Sequence, residues 1–388
     1  MKAPIRVGIV GCGNVALNYH LPAYQSLPDR FEVVGLADPT VERLELGRTI
    51  AGLPEHRVHL DPLALFARDD VDLVDVCTPQ HLRRDLLVAA ASSGKHILCE
   101  KPIASIPADA ASAVAAARDA GVVLAVVHNY LFLPEVVAAH DVVMSGELGE
   151  VRTVRVDMLG VTDSPGAAGY RPLWRHDPAA AGGGVLMDML HAVYVAEHLL
   201  GSDVQRVSAY LDNAIDGDAV EGLAMCRFES DRRAALVNVA WGLGSGGIEI
   251  GGTKGRLTVR YRDDGTPPWA PFESLTVTTA AGTRRLPLPP GKELSELVGD
   301  AMQATVLDVA DAIELGRPPS ADGRTALRIL EMTLAAYGSA ALGRTVAVPL
   351  SSQDPLHVSG VLGLQQLDVP EWSPVRGRGL FGFDQRRG

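Results

Sequence analysis

No two of the four cysteines (Cys12, Cys77, Cys99 and Cys226) stand in a C-x-x-C spacing; they lie far apart along the 388 residues. Metal and disulfide frameworks show tighter patterns, so reduced, semi-buried thiols are expected. No stretch of about 20 apolar residues offers a membrane span. The opening MKAPIRVGIVGCG also lacks the apolar core and cleavage site of a signal peptide. The expectation is a soluble, cytoplasmic protein. Basic charge is scarce as well: 35 Lys and Arg against 47 Asp and Glu leave a net charge of -12. A broad nucleic-acid or anionic-membrane surface needs a basic stripe, and none is evident, so neither partner is expected. The histidines scatter without ligand spacing, and no metal site is expected. Internal repeats and heptads are absent too.

What is present suffices for a buried core: 47% of residues are hydrophobic and 21% charged. The length suits two or three domains. Ile5 to Val10 is nearly uniformly apolar, as in a strand buried on both faces of a parallel sheet. It ends in Gly11-Cys12-Gly13-Asn14-Val15-Ala16, a G-x-G-x-x-A pattern. Gly11 allows a tight turn, Gly13 lets the backbone approach a pyrophosphate, and Ala16 keeps a helix close to the strand. Asn14 and Val15 open that helix (Val15 to Leu27), whose N-terminal N–H groups and dipole suit an anion. A second strand, FEVVGLAD, ends at Asp38, where a carboxylate would accept hydrogen bonds from the adenosine ribose. Its charge would repel a 2′-phosphate, so NAD is favoured over NADP; Arg43 nearby is the residue that argues for caution, its simpler role being a solvated helix face.

Strand and helix signals keep alternating through VDLVDVCTP, a helix from His81 to Ser93, KHILCEKP, PADAASAVAAARDAG and VVLAVVHN. Such alternation implies a doubly wound parallel sheet with ligands at the carboxyl ends of its strands, where Thr78-Pro79, with His81 just beyond, and Glu100-Lys101-Pro102 fall; the plain alternatives are an ordinary turn and a surface pair. Beyond Asn129 a helix (PEVVAAHDVVMSG) and a strand (VRTVRVDML) lead to a loop holding Trp174 and Arg175. Those two could stack on a ring or pair with a carboxylate or phosphate, and the plain alternative is a packing clamp. Gly182 to Gly201 reads as one helix. Several alternating strands follow, then two helices (about 294–316 and 323–342) and a last strand, TVAVPL; runs of strands without helices imply an antiparallel or mixed sheet. The glycine-rich GLGSGGIEIGGTKG precedes no helix and is read as turns and hairpins rather than a phosphate loop. Ser351 to Gly388 has little periodicity and is expected to wrap over a neighbour or stay mobile.

VGIVGCGNVA, ADP, CTPQHL, GKHILCEKP, VVHNY with Pro134, GELGEV, GGGVLMD with His191, GGTKGRL and DAIELGRPPSADGRTAL stand in one order from residue 5 to 350. In them the chain resembles the glucose–fructose oxidoreductase / inositol dehydrogenase / rhizopine-catabolism (Gfo/Idh/MocA) family. The resemblance implies an α/β protein: a doubly wound Rossmann domain over 1–128, an α+β domain with an open-faced, mostly antiparallel sheet over 129–350, and a tail over 351–388. It implies NAD(P)-dependent oxidation or reduction of a hydroxyl on a sugar or polyol, and a homodimer or homotetramer formed through the sheet. Lys101 matches the family's lysine, Asp188 and His191 its Asp and His; Glu100 and Pro102 would hold the lysine, and Asn129 would touch cofactor or substrate.

Oxidising an alcohol needs hydride transfer to the nicotinamide and a base for the hydroxyl proton. A lysine beside a cationic nicotinamide has its charged form disfavoured, so it either takes the proton or hydrogen-bonds the oxygen while another base takes it. A histidine titrates nearer neutrality. The expected roles are therefore His191 as base, Lys101 as orienting and polarising group, and Asp188 as the group that fixes the imidazole or a substrate hydroxyl. The family's D-x-G-x-H is one residue short here, Asp188-Met189-Leu190-His191. Inside one helix that deletion would rotate the pair by about 100°, whereas with Asp188 at the loop–helix junction a looser start absorbs it; on an intact helix i and i+3 still share a face. Tyr194 takes the place of a second acidic residue and joins Trp174, Arg175, Asp188 and His191 as a candidate substrate contact. Two other outcomes stay open: an NAD-dependent glycosidase with no net redox change, and a cofactor-sensing regulator without catalysis.

Overall fold

The computed structural model describes residues 3–161, 176–213, 219–242, 244–261, 272–287 and 294–383. Two compact units divide the chain: Met1–Asn129 with Val298–Leu327, and Tyr130–Leu297 with Arg328–Gly388. This division places 298–327 with the first unit and the segment after 350 with the second.

In the first unit the strands are β1 (Ile5–Val10), β2 (Phe31–Ala37), β3 (Val58–His59), β4 (Leu73–Val76), β5 (His96–Cys99) and β6 (Leu124–Val126). They lie in the order β3-β2-β1-β4-β5-β6 with every pairing parallel. The order reverses between β1 and β4, and a ligand crevice forms at such a point, beyond the strands' carboxyl ends. The helix expected from Val15 to Leu27 runs without a break from Asn14 to Gln25 and widens to a π-helical turn at Ala16–His20. Pro22, which has no N–H to give that turn, follows directly after it. Val298–Leu327 belongs here because Met302, Val306, Val309 and Ala310 share one core with Ile5, Val7, Ile9 and Leu73. The Val126 N–H also donates to the Ala321 carbonyl at 2.9 Å.

The second unit holds β7 (Val151–Val161), β8 (Arg206–Asp212), β9 (Leu223–Glu229), β10 (Ala234–Trp241), β11 (Gly246–Gly252), β12 (Gly255–Tyr261), β13 (Phe272–Thr279), β14 (Gly282–Leu286) and β15 (Val346–Ala347). Their order is β14-β13-β12-β11-β7-β10-β9-β8-β15. Only β7 and β10 pair in parallel, so the sheet is mixed and mostly antiparallel. Helices Val185–Asp188 and Leu190–Leu200 pack on β7, β9 and β10. β11 and β12 form the hairpin expected from the glycine-rich stretch.

The segment after Ser351 departs from the expectation. Helical turns Pro355–Ser359, Gly360–Gln366, Pro374–Gly377 and Leu380–Gly382 bury Leu356, Val361, Leu364, Val375, Leu380 and Phe381 within their own unit. Phe381 packs edge-on against Tyr337, and its N–H donates to the Ala219 carbonyl at 2.8 Å. Apolar residues spaced irregularly across short turns carry no period, yet burying them still stabilises the fold. Among the described residues no single helix is long and apolar enough to cross a membrane; Pro178–Asp188 and Leu190–Leu200 would qualify only as a pair, bent by 51°.

Candidate active site

At the end of β1, Gly11 has φ +94, and a Cβ there would meet the Cys77 carbonyl at 3.0 Å. The turn therefore needs glycine on two counts. A Cβ at Gly13, by contrast, would meet nothing within 4 Å, so open space lies against this backbone. Asn14 and Val15 are exposed beside it. Asp38 is buried, its carboxylate accepting from the N–H groups of Cys12 at 2.8 Å and Thr40 at 2.7 Å. It thus braces the glycine loop, and a carboxylate has about four lone-pair sites, which leaves capacity for ribose hydroxyls. Beyond β4, the Thr78 hydroxyl oxygen is buried without a hydrogen-bond partner. Pro79 opens the short helix Gln80–Leu82, on which His81 is exposed. Open space over Gly13, a carboxylate with spare acceptor sites and an orphaned hydroxyl fit a dinucleotide at these strand ends.

Glu100 and Lys101 follow β5. The Glu100 carboxylate accepts the Lys101 peptide N–H at 2.9 Å and is otherwise buried. Arg83, which the motifs did not single out, clamps this turn to the previous one. Its Nε donates to the Thr78 carbonyl at 2.8 Å, and its Nη1 donates to the carbonyls of Glu100 at 2.5 Å and of Pro102. One buried guanidinium thereby holds the two turns that carry Thr78 and Lys101. Asn129 is buried past β6, and His128 beside it is kept neutral: burial, helped by the Lys101 charge, pushes its pKa down to about 3 against the pull of Glu100.

In the second unit, Gly182-Gly183-Gly184 leads into the Asp188 segment. A Cβ at Gly184 would lie 2.1 Å from the Glu221 carbonyl oxygen, and one at Gly183 2.1 Å from the Tyr337 hydroxyl. The glycines are there because Glu221 is. Its buried carboxylate accepts from the N–H groups of Gly184 at 2.8 Å and Leu186 at 2.9 Å, and from Tyr337 OH at 2.9 Å. A helix leaves its first N–H groups unpaired, and Glu221 caps them from 37 and 35 residues away. Burial outweighs these bonds and pushes its pKa up to about 7.

The single helix expected from Gly182 to Gly201 is broken at Met189 (φ -94, ψ 35), between Asp188 and His191. Asp188 therefore ends one segment and His191 stands in the first turn of the next, which begins at Leu190, and the shared-face expectation for an intact helix does not apply. Between Ala181 and Glu197 these two are the only residues not buried. His191 stacks on Tyr130 with centroids 4.0 Å apart, and its Nδ1 lies 2.6 Å from Tyr194 OH, which accepts the Tyr130 N–H at 3.1 Å. Tyr194 is thus buried as a support for His191. In the tautomer whose Nδ1–H donates to the phenol oxygen, Nε2 keeps its lone pair and can act as a base. Replacing Tyr194 with phenylalanine is expected to lower kcat about ten-fold and move the acidic limb of the pH–rate profile downward, because the protonated ring loses an acceptor. An unchanged profile would count against the support role. His176 lies beside Trp241, centroids 5.5 Å apart. Tyr170, Trp174 and Arg175 lie outside the described residues.

The comparisons with known proteins agree with this construction. Residues 5–128 match the model of an oxidoreductase family with an NAD-binding Rossmann fold, and residues 136–258 match the GFO/IDH/MocA C-terminal domain. A 1,5-anhydro-D-fructose reductase of Ensifer adhaerens is 30% identical over 348 residues, 88% of this chain and 98% of that one. A D-apiose dehydrogenase of Paraburkholderia graminis is 28% identical, covering 87% and 88%. Among solved structures, an aldose-aldose oxidoreductase from Caulobacter crescentus, complexed with glycerol, superposes with a TM-score of 0.76 at 26% identity, covering 89% of this chain and all of that one. The glycine loop, the Glu100-Lys101-Pro102 turn and the mixed sheet thus have one common source, and the chain belongs to the NAD-binding Gfo/Idh/MocA oxidoreductase family.

Proposed function

We propose that the protein is an NAD(H)-dependent dehydrogenase or reductase that moves a hydride between the nicotinamide and a carbinol carbon of a sugar or polyol. NAD, when bound, supplies the hydride acceptor or donor. Gly11, Gly13, Asn14, Val15, Asp38, Thr78, Pro79, His81, Glu100, Lys101 and Asn129 are the residues assigned to hold it. His191 takes the hydroxyl proton, Lys101 orients and polarises the oxygen, and Asp188 holds a neighbouring hydroxyl. The observation that supports these roles best is the escape of Asp188 and His191 alone from an otherwise buried stretch, with the His191 ring fixed on two sides. A charged and a titratable group left open in an apolar wall have the character of a site rather than of a core.

The deciding experiment is an NAD and NADP reduction screen across inositols, aldoses, sugar acids and nucleotide sugars. Net NADH formation from one class supports the proposal. Hydrolysis without net NADH would replace it with the glycosidase reading, and stoichiometric partner binding without turnover with the regulator. The cofactor arm tests Asp38, since a clear preference for NADP would overturn the ribose role.

We also propose a homo-oligomer formed through the second sheet. Tyr210, Met225 and Leu236, on adjacent strands β8, β9 and β10, are each about half exposed on the face away from the helices. Exposed apolar side chains clustered on a sheet face suit a self-association surface. Met225→Lys is expected to lower the mass found by light scattering to that of a smaller species; an unchanged mass would refute this interface. A cytoplasmic location is proposed on the four free thiols, and fractionation into an oxidising compartment would contradict it.

A further inference from the structure

Beneath the Lys101 turn lies a chain of charged groups that no motif announced. His20, wholly buried, has its Nδ1 2.7 Å from Asp75 Oδ2 and its Nε2 3.0 Å from Glu100 Oε1. Tyr24 OH donates to the same Asp75 oxygen at 2.9 Å. Glu100 spends its other oxygen on the Lys101 peptide N–H at 2.9 Å. The residues come from the first helix and its π-helical turn, from the middle of β4 and from the end of β5.

We propose that His20 is a positioning residue for Lys101: clasped at both ring nitrogens by carboxylates, it locks the Glu100 side chain, which in turn fixes the peptide of the lysine. The inference rests on the reading of Lys101 as the group that orients the substrate hydroxyl. Ionised carboxylates only accept, so both contacts are hydrogen bonds when both ring nitrogens carry protons. The surroundings favour that state. Burial opposes the charge, but the carboxylate of Asp75, through its charge and its hydrogen bond, outweighs it and holds the pKa of His20 well above its ordinary value. Burial likewise opposes ionised Glu100, and His20, Lys101 and Arg83 outweigh it, holding that carboxyl below its ordinary value. Asp75, Cys77 and Tyr24 face the ring on one side, Glu100 on the other, with Lys101, Arg83 and neutral His128 around Glu100. Two carboxylates and one imidazolium leave one net negative charge, and the Arg83 guanidinium and Lys101 lie beside it. A buried triad of this kind gains little stability, and its best-supported use is to fix one geometry.

His20, Asp75 and Cys77 also lie close enough to suggest a metal site. The spacing argues otherwise: two ligands of a tetrahedral zinc stand about 3.3 Å apart, whereas the nitrogen and oxygen here are at hydrogen-bond distance, 2.7 Å. Burial also raises the Cys77 thiol well above its ordinary value, and a metal ligand must be a thiolate.

The test uses the full chain and the paired variant His20→Gln with Asp75→Asn, which removes both charges while retaining donors and acceptors. It is expected to bind NADH within about threefold of wild type by fluorescence titration and to keep its KM within a similar factor. Its kcat should fall at least about ten-fold, as loss of orientation rather than of binding predicts. Two readouts do not need activity. In the wild type, nitrogen NMR should find both His20 ring nitrogens protonated at pH 7. The Lys101 amide should exchange at least about ten-fold faster in the paired variant than in wild type, reflecting the loosened Glu100 bond. If the wild type turns over no sugar or polyol, the proposed function fails while these two readouts still decide the positioning role. A neutral His20 at pH 7, one equivalent of bound zinc, or a folded paired variant with unchanged kcat and exchange would overturn it. Should the paired variant fail to fold, Tyr24→Phe, which removes one bond to Asp75, replaces it with the same two expectations at smaller size.

Discussion

Lys101→Met is expected to cut kcat by about 100- to 10,000-fold while NADH still binds, the range that loss of a positioned proton-handling group produces. Methionine matches the lysine stem in length and flexibility but carries no charge and no donor. The supports of this turn act on the main chain: Glu100 on the Lys101 N–H, Arg83 on the carbonyls of Glu100 and Pro102. They survive the exchange, so the loss reports the ammonium group alone. Steady-state kinetics beside an NADH titration separates the two effects. Near-normal turnover with cofactor bound would remove Lys101 from the chemistry.

Glu221→Ala should be the most damaging change away from the strand ends. Gly184 N–H, Leu186 N–H and Tyr337 OH all point at this carboxylate in a fully buried site. Each buried donor left without an acceptor costs about 1–3 kcal/mol, so a total loss of at least about 3 kcal/mol is expected. Thermal unfolding followed by circular dichroism should fall by roughly 10 °C. Glu221 also predicts a pH signature. Its folded pKa of about 7 lies above the ordinary 4.5, so the folded state keeps a proton that the unfolded chain has lost. Stability contributed by the carboxyl is complete below about pH 4.5 and declines as pH rises to about 7, by a total of about 3 kcal/mol, then levels off. Glu221→Gln cannot titrate. The difference in denaturant midpoint between wild type and this variant should therefore slope across that window and be flat on either side. A flat difference throughout would mean that Glu221 is ionised in the fold.

The features legible in the sequence are those with local causes. Ile5–Val10 is uniformly apolar because both faces of β1 are covered, and Gly11 must be glycine because its φ and the Cys77 carbonyl require it. Motifs single out Lys101 and His191 as candidates, and glycines with no helix behind them mark the β11–β12 hairpin. The unread features have distant causes. His20 meets Asp75 across 55 residues and Glu100 across 80, and neither pairing leaves a local pattern. Nothing in the sequence around Arg83 marks the Glu100 and Pro102 carbonyls that the end of β5 brings beside it. Glu221 sat inside a strand-like run, and only the approach of Gly184 shows what it caps. The break at Met189 falls in an apolar run without glycine or proline, which periodicity reads as continuous.

That break separates two mechanical jobs. A residue gained or lost within a continuous helix turns everything beyond it by about 100°. Here the pivot at Met189 isolates Leu190–Leu200, whose pose is set by its own packing on β7 and β10 and by the Tyr130–Tyr194 cradle around His191. The Asp188 side answers instead to Glu221 and the three glycines. The Asp188 end is thus free to change length and reach without disturbing the aim of His191, so under the proposed roles a change of substrate class is accommodated on one side of the break while the proton chemistry stays on the other.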